Sequence, residues 1–74
     1  MNNDEMEILY EAIYYAADGE CRRIAREIVT AESPTEGLRE RLFYAVRHRD
    51  AAFAKTKRGK ENAQKALLSL YATP

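Results

Sequence analysis

Apolar residues recur at spacings of three and four from Met6 to Ile28, through Tyr10, Ile13, Tyr14, Ala17, Cys21, Ile24 and Ala25. That repeat is what one buried face of an α-helix imposes on a sequence. Asp18-Gly19 interrupts the composition but leaves the phase intact, so the pattern predicts one helix over about residues 4–31, either bent at Gly19 or straight through it. At about 1.5 Å per residue such a helix is roughly 40 Å long.

Ser33-Pro34-Thr35-Glu36 is the strongest punctuation in the chain. Ser33 is suited to cap a helix, Pro34 to occupy its first position, where a missing N–H costs nothing, and Glu36 to complete the capping box. The second helix is thus expected over about residues 34–58, burying Leu38, Leu42, Ala45, Val46 and Phe53. Lys55-Thr56-Lys57-Arg58-Gly59 reads as its end, because cations complement the carbonyl terminus and glycine accepts the left-handed conformation there. A third helix over about residues 60–72 would then bury Ala63, Ala66, Leu67, Leu70 and Tyr71, and the alternative is an unbroken helix through Gly59. The short capped turn at residues 32–35 forces the first two helices to lie antiparallel. The expected fold class is all-α: one domain over residues 1–74, a long antiparallel helical hairpin with a short third helix forming a small helical bundle, with dimerisation as a means of completing it.

Composition narrows this picture. With 46% apolar and 32% charged residues balanced in sign, the chain suits a folded helical protein rather than a disordered one. Seventy-four residues bury only about 60% of their unfolded surface, which leaves a marginal core. Cys21 is the single cysteine, so an intrachain disulfide is excluded, and oligomerisation or a partner remains as the source of extra stability. The longest apolar run, Ala12 to Ala17, is six residues, against about 20 for a membrane span, so no membrane association is expected. A lone thiol fits a reducing compartment, and the acidic start Asn2-Asn3-Asp4-Glu5 is the opposite of a secretory leader, so a cytoplasmic location is expected.

The zero net charge conceals a polarised chain. Residues 1–32 hold eight acids and three bases, whereas residues 33–74 hold four acids and nine bases. Antiparallel packing lays these halves side by side, so part of the asymmetry serves pairing between helices, each exposed pair contributing under about 1 kcal/mol.

Three features stand out as candidate binding chemistry. Ile8, Ala12, Tyr15 and Gly19 follow one another at spacings of four, three and four on the side of the first helix opposite its core stripe. Small residues there permit close approach of another helix, with Tyr15 as an aromatic anchor, so this face is read as a dimer or partner seam unless the third helix folds over it. Tyr44, Arg47, His48, Lys55 and Arg58, with Lys57 and Lys60 nearby, form an expected basic face on the second helix, suited to an acidic protein or to phosphates. Arg49 falls on the buried stripe between Val46 and Phe53, where a charge must be paired; Glu20 or Glu11 across the hairpin, or a partner's carboxylate, would meet it.

Catalytic chemistry has little to stand on. His48 and Cys21 are each single, too few for a zinc site, and Cys21 lies on the core stripe. Asp4, Glu5, Glu7 and Glu11 are read as a solvated helix start complementing the helix dipole. No metal and no cofactor are expected. The expected function is a small non-enzymatic protein–protein interaction module, adaptor, co-chaperone or inhibitor-like, binding a protein with an acidic or apolar surface and capable of homodimerising. The alternative is a small dimeric nucleic-acid-binding regulator using the basic face.

Overall fold

The computed structural model describes residues 1–72, which form three α-helices: α1 (Asn3–Thr30), α2 (Glu36–Ala54) and α3 (Lys57–Ala72). The fold is all-α, and α1 packs along α2 as an antiparallel hairpin.

α1 begins where the Asn2 side chain accepts the Glu5 N–H at 2.8 Å and the Asn2 carbonyl accepts the Met6 N–H at 3.0 Å, satisfying donors that a helix start leaves open. It runs through Gly19 without a break and without positive φ at that residue. Its end is marked by Thr30, whose hydroxyl donates to the Arg26 carbonyl at 2.9 Å, and by Ala31 in extended conformation.

The capping box expected at Ser33 is not formed. The connection takes residues 31–35, Pro34 lies in it rather than in the first turn, and α2 starts at Glu36 behind Thr35, whose side chain makes no capping bond. The Thr35 carbonyl instead receives the Arg39 N–H at 2.8 Å. A serine three residues before a glutamate satisfies the composition of the box, but the box also needs Ser33 itself at the helix border.

The second junction also differs from expectation. α2 ends at Ala54, and Gly59 lies inside the first turn of α3 instead of terminating the second helix; nor is the chain one unbroken helix there. The punctuation is Thr56. Its side chain is wholly buried, its hydroxyl donates to the Phe53 carbonyl at 2.6 Å, and the same oxygen accepts the Gly59 N–H at 3.0 Å. One residue thus closes the carbonyl end of α2 and caps the amide end of α3. Gly59 is required by closeness rather than by φ, since a Cβ there would fall 1.8 Å from the Phe53 carbonyl oxygen. The cations and glycine that mimic a helix end belong to a helix start.

The hairpin core is thin. Ala17, Cys21 and Ile24 of α1 and Ala52 of α2 are buried, flanked by half-buried Met6, Tyr10, Ile13, Tyr14, Ala25 and Ile28 on one side and Leu38, Leu42, Ala45, Val46 and Phe53 on the other. Tyr14 and Phe53 meet across the hairpin with ring centroids 5.2 Å apart. These are the stripes the periodicity predicts.

α3 does not join this core. Residues 60–72 are all exposed, including Ala63, Ala66, Leu67, Leu70 and Tyr71, which were expected to be buried. The tight turn at Thr56 and the seating of Gly59 on Phe53 fix the exit of α3, and the helix leaves the hairpin after one turn. The radius of gyration is 16.0 Å, against about 11 Å for a compact domain of this length, and the chain fills a slab of 47 × 41 × 14 Å.

Candidate interaction surfaces

The back of α1 is open. Ile8 is 70% and Tyr15 61% exposed, Ala12 and Gly19 are exposed, and nothing beyond its own stretch of helix lies within 4 Å of where a Gly19 Cβ would be. The third helix does not cover it. Leu9 and Ala16, also exposed, extend the same surface. The first turn of α3 borders one flank, where Lys57 lines a shallow groove with Asp4, Glu7, Ile8 and Glu11.

The five residues expected to form one basic face are divided by the structure. Tyr44, Arg47, His48 and Lys55 lie on α2 or its end, whereas Arg58 belongs to α3. Arg58 reaches across to α1 while staying half exposed: it pairs with Glu11, and its guanidinium carbon lies 5.4 Å from the ring centres of Tyr14 and Phe53 and 5.7 Å from that of Tyr15. The hydrogen bond to Glu11 raises its pKa, partly opposed by desolvation. Lys55 places its ammonium 5.0 Å from the centre of the Tyr10 ring. His48 and Lys55 line a groove with Tyr10, Ile13, Ala51 and Ala52. Arg47 lies over Phe43 of its own helix, one turn away. Tyr44, which is edge-on to Phe43, and Arg47, His48 and Lys55 all remain exposed on this side.

Part of the charge asymmetry is satisfied within the chain. Lys60 reaches Glu7 at 3.0 Å, Arg41 approaches Glu20 at 3.8 Å, and Arg58 pairs with Glu11. Arg49 meets neither Glu20 nor Glu11 but Asp18, at 3.4 Å, and Asp50 of its own helix, at 3.2 Å. The bond to Asp50 is the main cause of its raised pKa. Asp18 also holds Arg22 at 3.0 Å. Arg49 is thus a paired structural charge rather than an empty receptor for a carboxylate.

α3 carries the surface that periodicity assigned to the core. Ala63, Leu67, Leu70 and Tyr71 recur at helical spacing, with Leu70 74% and Tyr71 85% exposed. Its amphipathic pattern was plain in the sequence, but its lack of a covering element follows only from the geometry of Thr56 and Gly59.

No group of three or more His, Cys, Asp or Glu side chains among the described residues could hold a metal, and Cys21 is buried. No helix is long and apolar enough to cross a membrane among the described residues. Comparison of the chain with protein-family models, with curated proteins and with solved structures returns no match.

Proposed function

We propose that this protein is a small, non-enzymatic protein–protein interaction module in which α3 is the recognition helix. The observation that carries the reading is the exposure of the whole apolar stripe of α3, while only the first turn is anchored. An amphipathic helix held at one end and free along its apolar face matches the helix-in-groove mode of recognition, with anchors at i, i+4, i+7 and i+8 in Ala63, Leu67, Leu70 and Tyr71. The hairpin is then the handle that fixes the helix start, sparing part of the ordering cost a free peptide would meet on binding. The partner surface is an apolar groove. An adaptor or inhibitor-like role in the cytoplasm fits this arrangement.

A nucleic-acid regulator has less support, since Arg58, Lys60 and Lys55 are engaged by Glu11, Glu7 and Tyr10 of α1. The test is comparative affinity capture from cells expressing the protein, using the wild type and Leu67→Glu with Leu70→Glu. A partner retained by the wild type and lost by the variant is expected. Salt-sensitive binding to generic DNA or RNA between about 50 and 200 mM salt, with no such protein partner, would overturn the reading.

A further inference from the structure

We propose that the back of α1 is an isologous dimer seam, on which α1 of a second copy packs antiparallel. This surface is separate from the α3 stripe and does not depend on the function proposed for it.

Along the exposed back of α1 the order is acid, apolar, base: Asp4 and Glu5, then Ile8, Ala12, Tyr15 and Gly19, then Arg22 and Arg23. Such an order is complementary to itself when reversed, which is what a two-fold axis across the helix demands. Pairing residues whose numbers sum to the same value about the centre of the apolar segment sets Ile8 opposite Gly19 of the second copy and Tyr15 opposite its Ala12. Each large side chain then faces a small one. The same register brings Glu5 to Arg22 of the second copy and Asp4 to its Arg23.

Most of this match is available in the chain, although Arg23 is already paired with Glu20 and Glu27 of its own helix, so the pair of Glu5 with Arg22 carries the charge match. Gly19 has open space where a side chain would be, so an isoleucine can enter there, and the glycine permits close approach of helix axes. Asp4 and Glu5 form no ion pair among the described residues, although Glu7 and Glu11, on the flank, are taken by Lys60 and Arg58. Arg22 is 74% exposed at its side chain and keeps donors beyond its bond to Asp18. The first turn of α3 borders the seam at the Ile8 flank and sets the Arg58 guanidinium 5.7 Å from the centre of the Tyr15 ring, which stays 61% exposed, and Ala12, Ala16 and Gly19 are exposed. From Ile8 to Gly19 the seam is roughly 18 Å long, at the small end for a specific interface, so association is expected at micromolar concentration.

The experiment is sedimentation equilibrium of the full chain over roughly 1 to 200 μM, with five variants. The wild type is expected to reach twice the monomer mass within that range. Gly19→Leu, whose Cβ meets nothing beyond its own stretch of helix, is expected to keep its helical circular dichroism and to weaken the dimer at least tenfold. Glu5→Arg and Arg22→Glu are each expected to weaken it, and the two together to restore it, because the reversed pair re-forms across the two-fold axis. A wild type that stays monomeric throughout would overturn the proposal, as would a dimer insensitive to Gly19→Leu, one dispersed by Leu70→Gln instead, or a double charge reversal that rescues nothing.

Discussion

Gly59 rests on the backbone of Phe53 so closely that a β-carbon at that position would lie 1.8 Å from the Phe53 carbonyl oxygen and 2.7 Å from its carbon. This contact, with the Thr56 hydroxyl beside it, decides the direction of α3 and therefore which apolar surface the molecule leaves uncovered.

Gly59→Ala is accordingly expected to destabilise the protein by about 1–3 kcal/mol, since the obstruction is backbone and cannot swing aside. Gly19→Ala is the contrasting case: open space and ordinary helical backbone predict a gain of about 0.5–1 kcal/mol. Urea unfolding of both variants checks the pair, and equal effects would contradict the packing described.

Thr56→Val keeps the shape of the buried side chain but removes the hydroxyl that serves Phe53 and Gly59. A loss of about 0.5–2 kcal/mol is expected, together with faster hydrogen exchange at the Gly59 amide, whereas Thr56→Ser retains most of the protection. Unchanged exchange at Gly59 in the valine variant would show that the cap is not formed.

Arg58 and Glu11 tie the first turn of α3 to α1, and three aromatic rings surround the guanidinium. A double-mutant cycle with Arg58→Met and Glu11→Gln is expected to give favourable coupling at low salt that shrinks as salt rises to about 1 M, since the pair is partly exposed. Absence of coupling at low salt would mean that α3 is held by Thr56 and Gly59 alone.

The parts of the fold readable from residue pattern were those decided by long uninterrupted periodicity. Ala17, Cys21 and Ile24 are buried because the stripe from Met6 to Ile28 keeps phase through about six turns and outweighs one glycine. The junctions were harder, because Ser33-Pro34-Thr35-Glu36 and Lys57-Arg58-Gly59 carry residue types whose meaning depends on their place in the turn. Ile8, Ala12, Tyr15 and Gly19 could be recognised as an open face, since nothing on α2 has the reach to cover the far side of α1. Leu67 and Leu70 could not, because an amphipathic helix declares which face seeks burial and leaves open whether the same chain provides it. The basic face is split between two helices for a related reason: Arg58 belongs to α3, and Lys55 and Arg58 have stems long enough to reach Tyr10 and Glu11 across helices, which a projection of one helix does not reveal.

The apolar face of α3 belongs to the surface, and equilibrium urea unfolding of Leu67→Gln with Leu70→Gln checks this. Glutamine keeps helix propensity close to that of leucine, so the comparison reports burial. Stability within about 0.5 kcal/mol of the wild type is predicted, as for exposed positions. A loss of about 2 kcal/mol or more, the scale of buried leucine side chains, would mean that α3 folds back onto the hairpin and would contradict the account.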